Sequence, residues 1–126
     1  MIPLLITKIL NGEDLPIYGD GKNVREWIHV SDHSSAIAFL SKKGNCGEVY
    51  NIGSSEELSN IEIAEIILEV MKSKESKIEF VEDRMGHDFR YSLNDSKFRK
   101  FGIQNKFNLK SSLGEIVDQI KKYVLN

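Results

Sequence analysis

The chain has 126 residues, a formal net charge of −2 and an apolar fraction of 40%, which suits one domain with a core. A near-neutral chain is a poor candidate for binding nucleic acid, and no apolar run is long enough to span a membrane. The single Cys46 excludes an internal disulfide framework and favours a reducing, cytoplasmic compartment.

The first quarter of the chain predicts one helix, one extended segment, one turn and one strand. Residues 3–11 have apolar side chains at helical spacing. Residues 15–18 are predicted to be extended because a proline disfavours helix in the residue before it. The glycines within 19–21 predict a turn, and the β-branched and aromatic side chains of 24–30 predict a strand.

The middle of the chain predicts two helices separated by a strand. A helix capped by Ser31 or Asp32 should continue to Lys42, and residues 48–52 should form a strand. A capping box, in which Ser59 is followed three residues later by a glutamate, predicts the start of the next helix.

The last part predicts a strand over 77–82, a short helix over 95–101 and a final helix capped by Ser111 or Ser112. Strands that alternate with helices predict the α/β class. The whole chain, residues 1–126, is therefore expected to be one small α/β unit.

Two patterns associated with nicotinamide cofactors are weak or missing. Tyr18 and Lys22 match Y-x-x-x-K, but the two glycines between them predict a turn, which would not place both side chains on one helix face. No G-x-G-x-x-G follows a strand, so a pyrophosphate-binding turn is not expected. His29 and His33 are interpreted as two unrelated histidines and not as metal ligands.

The segment 81–91, VEDRMGHDFRY, is the densest polar part of the chain. It holds Arg84, His87, Asp88 and Arg90 around Gly86. Such a loop can direct a guanidinium and an imidazole at a phosphate, because arginine binds phosphate through two parallel hydrogen bonds. A solvated loop with local ion pairs explains the composition equally well. Arg25, in the strand predicted over residues 24–30, is a second candidate for a phosphate contact.

Three segments make the sequence resemble a known family. They are LPIYGDGKNVREWIHVSDH (15–33), EVYNIGSSEELSNIEIAEII (48–67) and FVEDRMGHDFRYSLNDSK (80–97). In this order they resemble the C-terminal part of dTDP-glucose 4,6-dehydratases, which are extended short-chain dehydrogenases/reductases. The R-E-W-I-H-V-S-D-H segment occurs widely among nucleotide-sugar epimerases and dehydratases, whereas D-R-x-G-H-D-x-R-Y is more specific to this family.

The resemblance implies a substrate-binding segment that holds a dTDP-sugar nucleotide, with no catalytic and no metal-binding residues. The implied substrate-binding residues are Pro16, Ile17, Tyr18, Arg25, Asn60, Asp83, Arg84, Met85, Gly86 and His87. Pro16, Ile17 and Tyr18 would contact the thymine and ribose, and Arg25 and Arg84 would face the diphosphate. Asn60 would sit at a helix start that favours anions, and residues 83–87 would form a closing loop in which His87 donates to the nucleotide. The family usually has proline in place of Met85, so this loop should be less rigid here.

The resemblance also implies what the chain lacks. The intact enzyme would bind NAD on an N-terminal Rossmann domain, which is missing from these residues, so the α/β unit should be incomplete and the isolated chain inactive. Two alternatives remain: part of a related nucleotide-sugar epimerase or decarboxylase, or a binding module without catalysis. An apolar surface left uncovered should cause self-association. Its residues are Trp27, Ile28, Val30, Ala36, Ile37, Phe39 and Leu40.

Overall fold

The computed structural model describes residues 1–124 and has the alternation of helices and strands expected of a small α/β unit. In chain order its elements are α1 (Ile2–Leu10), β1 (Leu15–Tyr18), β2 (Val24–Glu26), α2 (Val30–Lys43), β3 (Glu57–Ser59), α3 (Asn60–Met71), β4 (Ile78–Val81), α4 (Ser96–Arg99) and α5 (Leu109–Val124). Among these residues, none of the helices is long and apolar enough to cross a bilayer.

The main core lies where α1, α3 and α5 pack against one another and against β1. Each helix contributes the apolar stripe that its sequence spacing predicts. The largest fully buried side chains of this core are Leu5, Ile6, Leu15, Ile17, Ile63, Ile67 and Leu113. This packing fixes the first turns of α1 and α3 beside the end of β1.

The strands form two separate two-stranded sheets within residues 1–124. β1 pairs in parallel with β4, so that Tyr18 lies beside Val81. β2 pairs antiparallel with β3, with Arg25 opposite Leu58. The carboxyl ends of β1 and β4 therefore lie together, and the loop that follows β4 begins beside the turn that follows β1.

The junction of β2 and α2 differs from the prediction. β2 ends at Glu26, and α2 begins at Val30 with His29 as its N-cap, whereas a strand to residue 30 and a cap at Ser31 or Asp32 were predicted. The ring nitrogen Nδ1 of His29 accepts a hydrogen bond from the Ser31 backbone N–H at 3.1 Å. An imidazole acceptor thus takes the place of the usual serine or aspartate cap.

The predicted strand over residues 48–52 is wrong, and the strand β3 at Glu57–Ser59 was missed. Residues 48–52 make no sheet ladder, and Val49 is 80% exposed. β3 is short and polar, and it exists because β2 lies beside it. The final helix begins at Leu109, before the predicted caps, and Asn108 accepts from the Ser111 N–H through its side chain.

Candidate functional site

A cavity of about 280 Å³ lies between the first turns of α1 and α3, the strands β1 and β2, and the loop after β4. It is lined by Met1, Leu4, Leu5, Pro16, Ile17, Tyr18, Arg25, Trp27, Asn60, Arg84 and His87. One wall is apolar, and two guanidinium groups and an imidazole line the rest. Such a surface suits a ligand that has a flat apolar part and an anionic part.

Seven of the ten predicted substrate-binding residues line this cavity, although they come from four separate parts of the chain. Asp83, Met85 and Gly86 do not line it. Asp83 contacts the ring of His87, and Met85 is fully exposed to solvent. Sequence analysis missed Trp27 and the residues from α1, although Trp27 lies two positions from Arg25, a spacing that indicates the same side of an extended segment.

The two arginines of the cavity differ in how they are held. The Arg25 guanidinium donates to the carbonyl oxygens of Val24 at 2.7 Å and Asp88 at 2.9 Å, and it lies 4.4 Å from the centre of the Tyr91 ring. The Arg84 guanidinium lies 5.7 Å from the centre of the Tyr18 ring and makes no hydrogen bond or ion pair to residues 1–124. Arg25 is therefore a fixed positive charge, whereas Arg84 has all its donors available.

His87 and Asp83 form a close pair at the edge of the cavity. The Nδ1 atom of His87 lies 2.7 Å from an Asp83 carboxylate oxygen, and the His87 side chain is only 5% exposed. The hydrogen bond from His87 lowers the pKa of Asp83, and the backbone N–H of Arg84 acts in the same direction. Asp83 is thus an ionised acceptor at neutral pH.

The start of α3 does not offer the free N–H groups that were expected beside Asn60. The Asn60 N–H donates to the Asn23 carbonyl, and the Ile61 N–H donates to the Gly21 carbonyl, each at 3.0 Å. The next N–H, from Glu62, donates to the Ser59 hydroxyl in the capping box. Because these donors are occupied, the expectation of free N–H groups at this helix end is wrong, and Asn60 can offer a ligand only its side chain.

The acidic residues of the R-E-W-I-H-V-S-D-H segment have structural contacts. Glu26 accepts hydrogen bonds from the backbone N–H groups of Ser54, Ser55 and Leu93, at 2.7, 2.8 and 3.0 Å. Asp32 accepts from the N–H groups of residues 106 and 107 at 3.1 Å. These carboxylates hold distant loops together, and neither lines the cavity.

Neither a metal centre nor a dehydrogenase-type tyrosine occurs in this region. His29 caps α2 and stacks on Phe107, with ring centres 4.3 Å apart. Within residues 1–124, His, Cys, Asp and Glu side chains form no group of three that could hold a metal ion. Tyr18 ends a strand and a turn follows it, so the Y-x-x-x-K match is a coincidence, as predicted.

A second, larger cavity of about 470 Å³ lies between the starts of α1, α2 and α5. Its walls are mainly apolar, and Met1 and Trp27 line both cavities. The indole N–H of Trp27 is buried without a hydrogen-bond partner in residues 1–124. Since this cavity lacks clustered cations, the smaller one is the better candidate for binding an anionic ligand.

The chain is similar in sequence to known proteins. A sequence profile of the NAD dependent epimerase/dehydratase family matches residues 1–53. The low-salt glycan biosynthesis protein Agl12 of Haloferax volcanii is 48% identical over 118 residues, which cover 94% of this chain and 38% of that protein. A dTDP-glucose 4,6-dehydratase of Actinoplanes is 46% identical over 118 residues, covering 93% of this chain and 37% of that enzyme.

Solved structures share the fold. The dTDP-glucose 4,6-dehydratase DesIV of Streptomyces venezuelae, with NAD and TYD bound, matches with a TM-score of 0.85 and 38% identity, over 97% of this chain and 38% of that one. A UDP-glucose 4-epimerase of Thermotoga maritima has a TM-score of 0.87 over 98% of this chain and 40% of its own, at 24% identity, a likeness that concerns the fold alone. The chain spans less than two fifths of the length of the two curated relatives.

Proposed function

The chain belongs to the NAD dependent epimerase/dehydratase family and corresponds to the C-terminal part of the dTDP-glucose 4,6-dehydratases, and from this premise we propose that it binds the nucleoside diphosphate of dTDP-glucose. The observation that carries the proposal is the cavity in which Arg84, Arg25 and His87 meet an apolar wall. A nucleoside diphosphate has a flat base and two adjacent phosphates, which match these two kinds of surface.

Each part of the cavity has a role in this proposal. Pro16, Ile17 and Tyr18 contact the base and ribose. Arg84, whose donors are available, binds a phosphate through two hydrogen bonds, and Arg25 adds a fixed positive charge. The Asn60 amide and the His87 ring complete the polar side, while the loop 83–87 covers the ligand.

We further propose that the intact protein converts dTDP-glucose into dTDP-4-keto-6-deoxyglucose in deoxysugar biosynthesis. Two dehydratases that the chain resembles were solved with NAD. The residues described here do not fit NAD, because the first N–H groups of α3 are occupied and no glycine-rich turn joins a strand to a helix within residues 1–124. The cofactor therefore requires other parts of an intact enzyme, and a cytoplasmic location remains a prediction.

Calorimetric titration of the 126-residue chain with dTDP, UDP and GDP tests the binding proposal. We expect dTDP to bind, and we expect Arg84→Ala and Arg25→Ala each to weaken binding by about 1.5–3 kcal/mol, the usual size for a hydrogen bond to a charged group. Lys72→Ala removes a positive charge outside this cavity and should leave the affinity unchanged.

Three results would contradict these expectations. Equal losses for all three variants would mean that only bulk positive charge matters. Tighter binding of UDP than of dTDP would favour a related nucleotide-sugar epimerase. A 4-keto product formed by the purified chain with NAD would contradict the expectation that it is inactive alone.

Self-association is a separate proposal for the isolated chain. Val30 and Ile37 of α2 are 71% and 51% exposed, and their spacing of seven residues places them on one helix face. Ala36, in contrast, is buried and was wrongly included in the exposed surface. Ile37→Glu should lower the mass measured by light scattering over a dilution series, whereas Lys42→Glu should not; an unchanged mass in Ile37→Glu would exclude this surface.

A further inference from the structure

We propose that Asp83 holds His87 in the tautomer with its proton on Nδ1, so that Nε2 can donate to the diphosphate only after the ring takes up a second proton. Ligand binding at this cavity would then be coupled to protonation of His87. The inference rests on the proposed function, since it concerns the same cavity, and it assigns Asp83 the role of a positioning residue.

The contacts of Asp83 support this tautomer. Its Oδ1 atom lies 2.7 Å from His87 Nδ1 and also accepts the Arg84 backbone N–H at 2.9 Å. An ionised carboxylate can only accept hydrogen bonds, so Nδ1 must carry the proton. The hydrogen bond at one ring nitrogen determines the state of the other, and Nε2 is therefore unprotonated in the neutral ring.

The turn after β1 leaves space for the Asp83 carboxylate. Gly19 has a φ of +58°, and its N–H donates to the Val81 carbonyl at 2.9 Å. A Cβ atom at this position would lie 3.0 Å from Asp83 Oδ2. The glycine of the Y-G-D-G segment thus leaves room for the carboxylate, while the Tyr18 ring meets the His87 ring edge to face at 6.3 Å.

The charges in the cavity explain why ligand binding should be accompanied by the uptake of a proton. The oxygens of a diphosphate only accept hydrogen bonds, so they would meet the lone pair of a neutral Nε2 unfavourably. Asp83 stabilises the imidazolium, whereas the two guanidinium groups that share the cavity, those of Arg25 and Arg84, oppose it. A bound dianion offsets these positive charges, and one proton is taken from solvent.

Titration of the chain with dTDP-glucose between pH 5.5 and 8.5 tests the coupling. Its diphosphate is esterified at both ends and does not titrate in this range. We expect the Kd to rise with pH in this range, by up to about tenfold per pH unit, and calorimetry in buffers of different ionisation enthalpy to show uptake of about one proton. His87→Gln, which keeps an N–H donor, should bind with a Kd that does not change with pH.

Nitrogen-15 spectra of the histidine rings test the role of Asp83 without ligand. The chain has three histidines, and His87→Gln identifies the signals of His87. We expect the neutral ring to be protonated at Nδ1 and to shift toward Nε2 protonation in Asp83→Ala. Asp83→Asn retains an oxygen acceptor, so it should keep the tautomer but move the rise in Kd to lower pH.

The outcomes separate this inference from the proposed function. Binding of dTDP-glucose with no dependence on pH, or a wild-type ring protonated at Nε2, would overturn the inference and leave the proposed function intact. Absence of binding at every pH would overturn the proposed function and the coupling with it, and the ring spectra alone would then decide whether Asp83 sets the tautomer.

Discussion

Two polar segments of this chain look alike in sequence and differ in what their charges contact. In the segment 25–32, Glu26 and Asp32 accept hydrogen bonds from backbone N–H groups that are 28 or more positions away. In the loop 83–90, Asp83 makes hydrogen bonds only within the loop, and the Arg84 guanidinium has no hydrogen-bond partner within residues 1–124.

The difference separates structural charges from charges available to a ligand. Carboxylates that bind backbone N–H groups of distant segments are needed to close the fold, because those donors would otherwise be left without partners. Side chains whose donors are available can bind a ligand without breaking existing contacts. The predictions below test this distinction on stability first and then on the loop.

Glu26→Ala should have the largest effect on stability. It removes three hydrogen bonds to backbone N–H groups of the segments around residues 54 and 93. We expect the free energy of unfolding to fall by about 3 kcal/mol, measured by urea denaturation. Glu79→Ala, an exposed residue of β4, should change it by less than about 0.5 kcal/mol. Equal effects would mean that Glu26 has no special structural role.

Asp32→Ala should have the second largest effect on stability. Asp32 is buried and accepts two backbone N–H groups from the segment before α5. We expect a loss of about 2 kcal/mol in the free energy of unfolding. Asp118→Ala removes an exposed carboxylate of α5 and is the matched control. A loss no larger than that of the control would contradict the role given to Asp32.

Ser59 is intermediate between the structural carboxylates and the available side chains of the loop 83–90, since its partner Glu62 belongs to the same helix. Ser59→Ala removes the capping box of α3 and should cost about 1 kcal/mol at pH 7. The Ser59 hydroxyl and N–H lower the pKa of Glu62, so this contribution is present above the unfolded pKa and is lost as the pH falls below about 4.

The difference between wild type and Ser59→Ala should therefore shrink at pH 3, as measured by urea denaturation at both pH values. It should not vanish, because the Ser59 oxygen also accepts the Glu62 backbone N–H, which does not titrate. A difference that grows at pH 3 would show that Ser59 does not stabilise the ionised carboxylate of Glu62.

Local chemistry allowed much of the fold to be predicted, and contacts between distant segments account for the rest. The capping box at Ser59 and the apolar spacing of α1 and α5 are visible in a few neighbouring residues. β3 depends on pairing with β2, and the His29 cap depends on a side-chain conformation, so neither has a local signal. The strand predicted at 48–52 has suitable residues but no partner strand.

The candidate site shows the same division. Residue types and family resemblance were enough to select the seven predicted residues that line the cavity. They did not reveal that the N–H groups at the start of α3 are occupied, because the carbonyls of Asn23 and Gly21 reach them only in the folded chain. The Asp83–His87 pair likewise depends on the turn between them.

Met85→Pro should have the smallest effect and should act in the stabilising direction. His87 N–H donates to the Arg84 carbonyl at 3.2 Å, so residues 84–87 form a β-turn with Met85 in its second position. Gly86, in the third position, has a φ of +73°, and Met85 does not have a positive φ, a combination typical of a type II turn. Proline is favoured at the second position of that turn because its φ is already set.

We expect Met85→Pro to raise the free energy of unfolding by about 0.5–1 kcal/mol and to tighten dTDP-glucose binding, because the loop loses less entropy when it is ordered. Met85 is fully exposed, so no packing is lost. Gly86→Ala is the matched change in the opposite direction and should destabilise by about 1 kcal/mol, since it places a side chain at positive φ. Weaker binding and lower stability in Met85→Pro would show that the turn must change its backbone conformation to hold the ligand. The loop 83–90 would then differ from the segment 25–32 in mobility as well as in charge.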